Sequence, residues 1–152
     1  MRFWDSSALA PLIVRQQALG WLRSLYRSDS GVLAWWGAQV ECESAISRLE
    51  REGRLQRRSA SAAWRRLALF AATWHEVQPS DLLRDNACRL LRVHDLRAAD
   101  SLQLAAGLAA AEGRPATLAF VCLDQRPAAT AEREGFLVIA DAARSSRRER
   151  RK

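Results

Sequence analysis

Short apolar runs alternate with longer amphipathic stretches along most of the chain. Runs of strand length occur at 2–4, 32–36, 117–123 and 136–139, and a weaker candidate lies at 75–77. Continuous apolar runs of this length are typical of strands that are buried on both faces. Because strands and helices alternate in sequence, the pattern predicts an α/β fold in three layers, α/β/α, with a central, mostly parallel sheet.

Helical periodicity fills the stretches between these runs. Predicted helices cover 16–26, 38–52, 59–73, 81–94, 97–112 and 127–134. Another helical stretch follows Ser6 and Ser7, and we expect Pro11 to break it because proline lacks the N–H of a helical hydrogen bond. Ser80 is a predicted N-cap and Gly53 a predicted C-cap.

The length of 152 residues and an apolar content of 49% suit one ordinary domain. The net charge is +7, and much of this excess lies in 144–152, which holds six basic residues and one acid. We therefore expect one folded domain over 1–143 and a flexible basic tail over 144–152. A basic protein is attracted to polyanions, of which nucleic acid is the commonest in the cytoplasm.

Cys42, Cys88 and Cys122 are widely spaced, and no two of them form a CxxC pair. Together with His75 and His94 they make a poor zinc set and a poor disulfide framework. We expect three reduced cysteines in the core of a cytoplasmic protein. The sequence has neither the pattern of a secretory signal nor a run of roughly 20 apolar residues, so we expect no membrane association.

Three acidic residues stand where an open parallel sheet places its ligands, beyond the carboxyl ends of the strands. Asp5 and Asp124 each follow a predicted strand directly, and Glu41 lies near the start of the helix after the second strand. A fourth acid, Asp100, lies in the first turn of the most apolar helix. Each has a structural explanation on its own. Asp5 and Asp124 are candidate N-caps, and Glu41 and Asp100 suit the positive ends of their helices.

Considered together, the four acids predict different chemistry. Neighbouring carboxylates repel one another, and a hard divalent cation such as Mg²⁺ removes that conflict. Asp100 is flanked by Ala98, Ala99 and Leu102, so we expect it to be enclosed by apolar residues, where a carboxylate is costly unless a cation or partner compensates it. Acidic residues with a metal, and without a catalytic histidine or cysteine, point to phosphodiester hydrolysis.

Other phosphate chemistries lack their sequence signatures. The chain has no Gly-rich loop followed by Lys and Ser or Thr, and no GxGxxG. A phospho-acceptor domain normally uses a core lysine, whereas the single lysine here is Lys152. The Asp-x-Asp of haloacid-dehalogenase-type phosphatases is absent because Ser6 and Ser7 follow Asp5.

Four segments, spread over about residues 1 to 140, resemble the motifs of PIN-domain nucleases in their order and spacing. They are DSSAL at 5–9, VECESAI at 40–46 followed by REG at 51–53, LRAADSLQLA at 96–105, and FVCLD at 120–124 followed by EGF at 134–136. Within that family the likeness is greatest to VapC-type toxins of bacterial toxin–antitoxin pairs.

This resemblance implies a PIN-like fold and a cytoplasmic endoribonuclease that depends on Mg²⁺, with Mn²⁺ as a possible substitute. It also implies RNA as the substrate, a homodimer, and a cognate VapB-type antitoxin as the inhibitor. Two alternatives stay open. One is a PIN-domain nuclease of RNA processing without an antitoxin, and the other is an inactive RNA- or protein-binding module on the same fold.

Carried over to this sequence, the resemblance makes Asp5, Glu41, Asp100 and Asp124 the metal-binding acids of the catalytic site. Ser7 becomes an auxiliary catalytic residue that orients Asp5 or a metal-bound water. Glu43 competes with Glu41 for the second position. We favour Glu41 by its distance from the small residue that follows, and the two glutamates face apart on a helix.

Six tryptophans are many for this length, and we expect most of them to pack in the core or at interfaces. Trp36 stands nearest in sequence to the predicted site. It is therefore the best candidate for stacking on an unpaired RNA base.

Overall fold

A computed structural model of the chain describes residues 1–14 and 20–140. Its strands are β1 (Arg2–Trp4), β2 (Val32–Trp35), β3 (His75–Val77), β4 (Ala119–Val121) and β5 (Leu137–Ile139). They form one five-stranded parallel sheet in the order β3-β2-β1-β4-β5. The predicted α/β class and three-layer arrangement are confirmed.

Helices connect the strands and cover both faces of the sheet. They are α1 (Ser6–Val14), α2 (Gly20–Ser28), α3 (Ala38–Arg51), α4 (Arg57–Ala71), α5 (Asp81–Val93), α6 (Ala98–Ala110) and α7 (Gln125–Arg133), with a short 3-10 turn at Pro115–Thr117. Within the described ranges, no helix is long and apolar enough to cross a membrane. The start of the predicted helix at 16–26 and the predicted basic tail at 144–152 lie outside the described residues.

The predicted break at Pro11 is wrong, because α1 continues through this residue. Proline removes one hydrogen bond from the helix but its fixed φ suits helical backbone. Packing outweighs that loss, since Ala8, Leu9 and Ile13 on the same helix are buried in the core.

Both predicted helix caps are present. The Ser80 hydroxyl accepts a hydrogen bond from the Leu83 backbone N–H over 3.2 Å at the start of α5. Gly53 follows the end of α3 with a φ of +69°, which is the left-handed backbone that glycine adopts most easily.

Successive residues of the central strands point into different layers, as the pleat requires. Trp4 and Val121 pack with the helices of one layer, whereas Phe3 and Phe120 pack with those of the other. The rings of Phe3 and Phe120 stack with centroids 5.1 Å apart. Because both clusters are dense and apolar, β1 and β4 are fixed from both sides, and so is the point where each strand ends.

The central position of β1 determines where the candidate site can form. Strand β1 pairs with β2 on one side and with β4 on the other, so the chain order switches direction at β1. The Asp5 backbone N–H donates to the Val121 carbonyl over 2.9 Å and continues the ladder one residue past the strand. The carboxyl ends of β1 and β4 therefore meet at a topological switch point, where such sheets bind ligands.

Adjacent leucines on α5 provide a matched test of this packing. Leu83 is 1% exposed in the core and Leu82 is 69% exposed. We expect Leu83→Ala to lower the free energy of unfolding by about 2–5 kcal/mol, through lost burial and the cavity left behind. Leu82→Ala should change it by less than about 0.5 kcal/mol. Urea unfolding measures both values, and equal losses would contradict the placement of α5.

Candidate active site

Asp5 is the most buried acid at the carboxyl edge of the sheet, with 4% of its surface exposed. Its Oδ1 accepts a hydrogen bond from the Ser7 backbone N–H at 2.9 Å and one from the Cys122 thiol at 3.6 Å. Its carbonyl accepts the first hydrogen bonds of α1, from Ala8 and Leu9. Asp5 thus caps α1 as well as occupying the predicted site, so its two sequence interpretations are compatible.

Burial raises the pKa of Asp5 above its ordinary value. Hydrogen bonds from the side chain and backbone of Ser7 and from Cys122 favour the charged form, but they compensate the lost hydration only in part. The negative charge of Asp100 raises the pKa further. A negative charge on Asp5 is therefore under-compensated by the protein groups around it.

Glu41 lies in the first turn of α3 and is half-buried. The Ser6 hydroxyl donates to its Oε2 over 2.6 Å, and the Gln103 amide Nε2 donates to the same oxygen over 3.2 Å. Burial raises the pKa of Glu41 although these two hydrogen bonds lower it, and the charges of Asp5 and Asp100 raise it as well. Glu41 therefore belongs to the same electrostatic group as Asp5.

Glu43 is the alternative second acid from the sequence, and its place in the structure is different. It is half-buried on α3, two residues after Glu41. Among the described hydrogen bonds, those that converge from α1 and α6 reach Glu41 and not Glu43. The structure thus brings Glu41, rather than Glu43, towards Asp5.

Asp100 lies in the first turn of α6 and is half-buried. Its Oδ2 accepts a hydrogen bond from the Arg97 backbone N–H over 3.3 Å, as an acid in the third helical position commonly does. Its charge also acts on both Asp5 and Glu41. Asp100 is the third member of the acidic group.

The predicted apolar enclosure of Asp100 is wrong. Ala98 and Ala99 are exposed, and only from Ser101 onward does α6 enter the core. The first turn of the helix projects beyond the packed layers, so solvent reaches one side of Asp100. The cost of its charge is accordingly lower than the alanine-rich sequence suggests.

Asp124 is exposed, and its described interactions do not involve the other three acids. It occupies the N-cap position of α7, but its carboxylate makes no capping hydrogen bond. Its backbone carbonyl accepts from the Cys122 thiol at 3.4 Å and from the Ala128 N–H at 3.1 Å. The backbone of Asp124 therefore adjoins the site, whereas its side chain has no described partner there.

Ser7 joins the ends of β1 and β4. Its hydroxyl oxygen accepts a hydrogen bond from the Leu123 backbone N–H over 3.0 Å and lies 3.7 Å from the Cys122 sulfur. The hydroxyl also hydrogen-bonds to Asp5 and favours its charged form. Ser7 consequently orients the Asp5 carboxylate relative to the neighbouring strand.

The sequence interpretation missed Ser6, Gln103 and Cys122 as neighbours of the acids. Gln103 carried a signal that could have been used, because it is a polar residue inside the apolar stretch of α6. Ser6 and Cys122 carried none, since a serine after a strand and a cysteine within one are ordinary.

All three cysteines are free, but the prediction that all lie in the core is wrong for Cys88. Cys88 is exposed on α5, where it follows the inward-facing Ala87. Cys42 and Cys122 are buried, and burial raises the pKa of both thiols, that of Cys42 to about 12. Neither buried thiol is suited to act as a nucleophile.

The chemistry of the acidic group fits a hard cation, although a ready-made metal cluster is not present. In residues 1–14 and 20–140 no three carboxylate, imidazole or thiol groups converge closely enough to hold a metal ion. The ion pairs described in the same ranges involve none of the four predicted acids. Oxygen donors whose charge is under-compensated are the set that Mg²⁺ prefers.

Comparisons with known proteins agree on the fold. No family model and no curated protein matches the sequence. A chain of a toxin–antitoxin complex from Klebsiella pneumoniae superposes with a TM-score of 0.62 at 11% identity, over 91% of this chain and 96% of that one. The protein PAE2754 from Pyrobaculum aerophilum superposes with a TM-score of 0.64 at 19% identity, over 96% and 87% of the two chains. At these identities the likeness establishes a shared fold.

The raised pKa of Asp5 predicts how stability depends on pH without divalent cations. A pKa that is higher in the folded state contributes stability below the ordinary value of 3.8, and this contribution is lost as the pH rises through the folded value. Asp5→Asn is neutral at every pH and keeps an oxygen for the Ser7 N–H. We expect the variant to be more stable than wild type near neutral pH, and to lose this advantage as the pH falls towards the ordinary pKa of Asp.

Urea unfolding between about pH 4 and 7, in the presence of a chelator, measures this difference. Asp85→Asn at an exposed position of α5 is the control for removing one carboxylate, and it should show no comparable gain. A wild-type protein that stays more stable than Asp5→Asn across the range would show that the site compensates the charge by itself.

Proposed function

We propose that this protein is a Mg²⁺-dependent endoribonuclease that acts as the toxin of a toxin–antitoxin pair. The observation that carries the proposal is the buried Asp5 carboxylate at the switch point of the sheet, with Glu41 and Asp100 acting on it and no cationic partner among the described residues. Its fold is that of a chain from a toxin–antitoxin complex. A costly arrangement of acids at a ligand-binding edge is expected where a cation must bind.

Asp5, Glu41 and Asp100 would hold the cation, and Asp124 would complete the set from the exposed start of α7. When bound, Mg²⁺ or Mn²⁺ supplies an activated water and stabilises charge on the leaving oxygen of a phosphodiester. The carboxylates would anchor and position the cation, and none of them has to act as a nucleophile. The buried thiols of Cys42 and Cys122 take no part in bond breaking.

Hydrogen bonds from the chain prepare the acids for this role. The Ser7 hydroxyl and backbone N–H hold Asp5, and the Ser6 hydroxyl at 2.6 Å holds Glu41. These donors favour the charged carboxylates, which are the forms that bind a metal. Orientation by donors of the chain itself reduces the rearrangement that is needed when the cation arrives.

RNA is the proposed substrate because the chain is basic and has an exposed tryptophan at the same edge of the sheet as the acids. The net charge of +7 attracts a phosphate backbone despite the acidic site. Trp36 follows β2 at the carboxyl edge of the sheet and is 51% exposed. Its ring meets that of Trp35 edge-on at 6.2 Å, and its backbone N–H donates to the Val77 carbonyl, so the backbone of Trp36 is held against β3.

A cytoplasmic homodimer inhibited by a VapB-type antitoxin is the assembly that we propose. Support comes from the shared fold with a chain of a toxin–antitoxin complex and from the VapC-like motifs around Asp5, Glu41 and Asp100. Growth arrest on expression, relieved by co-expression of an antitoxin encoded beside the gene, is the cellular behaviour that this role requires.

Cleavage of labelled RNA by the purified protein tests the enzymatic proposal. We expect cleavage with Mg²⁺ and none with a chelator. Asp5→Asn and Glu41→Gln should lower the rate by at least about a hundredfold, because each removes a charged oxygen from the site. Glu43→Gln, the matched control on the same helix, should retain the wild-type rate within about threefold.

Circular dichroism must show that each variant folds before its rate is interpreted. Cleavage that persists in the chelator, or in Asp5→Asn, would overturn the metal-dependent mechanism. If Glu43→Gln loses cleavage activity and Glu41→Gln keeps it in full, Glu43 and not Glu41 is the second acid of the site.

Binding of single-stranded RNA to Trp36 is tested separately from cleavage. In an Asp5→Asn background, which is not expected to cut, we predict that Trp36→Ala raises the Kd for an unstructured oligonucleotide roughly 5–100-fold, as the loss of one stacked base does. Trp36→Phe should retain most of the affinity. Leu69→Ala changes another strongly exposed apolar side chain and should have no effect. Fluorescence anisotropy of a labelled RNA measures each Kd, and an unchanged Kd in Trp36→Ala would exclude stacking.

A further inference from the structure

Gln103 occupies a position of α6 that packing alone would give to an apolar residue. It is 1% exposed, and the residues that follow it, Leu104, Ala105 and Ala106, are fully buried. An amide taken out of water costs free energy unless its polar atoms find hydrogen-bond partners. The presence of glutamine at this position therefore calls for a compensating role.

The amide of Gln103 is satisfied on one side only. Its Nε2 donates to the Glu41 Oε2 over 3.2 Å. Its Oε1 is buried and has no hydrogen-bond partner among the described residues. A side chain of the same size without polar atoms would remove that unsatisfied oxygen, so the stability of the fold does not explain the choice of glutamine.

The compensating contact is with the acidic site. The Gln103 Nε2 from α6 and the Ser6 hydroxyl from α1 converge on a single oxygen, Oε2, of Glu41 from α3. Two donors on one oxygen fix the rotamer of the carboxylate and leave its other oxygen, Oε1, to turn towards a cation.

We propose that Gln103 is a positioning residue of the metal site, which holds Glu41 in its ligating orientation. This inference rests on the proposed function, because it assumes that Glu41 binds a divalent ion. Gln103 does not contact the reacting atoms, and it acts through Glu41. The cost of burying its amide is offset when the cation is present.

Gln103→Met tests the proposal because methionine matches glutamine in length and lacks the donor. Without divalent ions, we expect the variant to unfold at the same urea concentration as wild type or at a higher one, since an unsatisfied buried oxygen is gone. The Kd for Mg²⁺, measured by calorimetry on the whole protein, should rise about tenfold or more, as for the loss of other outer-shell partners of metal ligands.

Two further variants separate positioning from packing. Gln103→His, whose ring Nε2–H can donate to Glu41, should recover part of the Mg²⁺ affinity. Ser101→Ala removes another buried polar group of α6, one that donates to the Ala98 carbonyl instead of to an acid. It should bind Mg²⁺ as wild type does.

The results that would contradict the positioning role, or the proposed function on which it rests, are as follows. If wild type binds Mg²⁺ and Gln103→Met binds it equally well, Gln103 has no positioning role. If Ser101→Ala loses as much affinity as Gln103→Met, the effect comes from the packing of α6 and the inference is wrong. If wild type itself does not bind Mg²⁺, the proposed function fails, and this inference fails with it. If Gln103→Met does not fold, the double variant Ser6→Ala, Gln103→Leu takes its place. Wild-type affinity for Mg²⁺ in this folded double variant would also overturn the inference.

Discussion

The site depends on one buried carboxylate, that of Asp5, held at the end of the central strand. Its backbone N–H extends the ladder between β1 and β4, its carbonyl begins α1, and its side chain caps that helix. Since all three attachments belong to secondary structure, Asp5 cannot leave the edge of the sheet without breaking the fold. The carboxyl group is therefore held in the site, and the neighbouring groups have to accommodate it.

The neighbouring groups accommodate this charge incompletely. Ser7 and Cys122 donate to Asp5, but burial still raises its pKa, and Asp100 adds a like charge. The same holds for Glu41, because burial raises its pKa by more than the hydrogen bonds from Ser6 and Gln103 lower it. Packing on both faces of the sheet supplies the stability that permits such an arrangement. Residual repulsion among the three acids would favour the cation that we propose, and function would then be obtained at some cost in the stability of the metal-free protein.

The order of the elements was predictable because hydrophobic positions repeat differently in strands and in helices. Each segment was long enough to show which repeat it follows. The position of Asp5 was predictable for the same reason, since a strand end is visible in the sequence. Features that depend on tertiary packing were not. Pro11 is tolerated inside α1 because the neighbouring residues pack well, and Ala98 and Ala99 are exposed because the first turn of α6 projects beyond the layers. Neither the helical Pro11 nor the exposure of Ala98 and Ala99 could be predicted from the local composition.

A crystal structure grown with Mn²⁺, with anomalous diffraction measured at the manganese edge, tests the central claim most directly. A single strong peak in ligating contact with the carboxylate oxygens of Asp5, with Glu41 or Asp100 completing the site, is the predicted result. A well-ordered Asp5 that retains only its contacts to Ser7 and Cys122, with manganese bound elsewhere on the protein, would contradict it. In that case the buried carboxylate would be a structural cap of α1 and would not form a metal site.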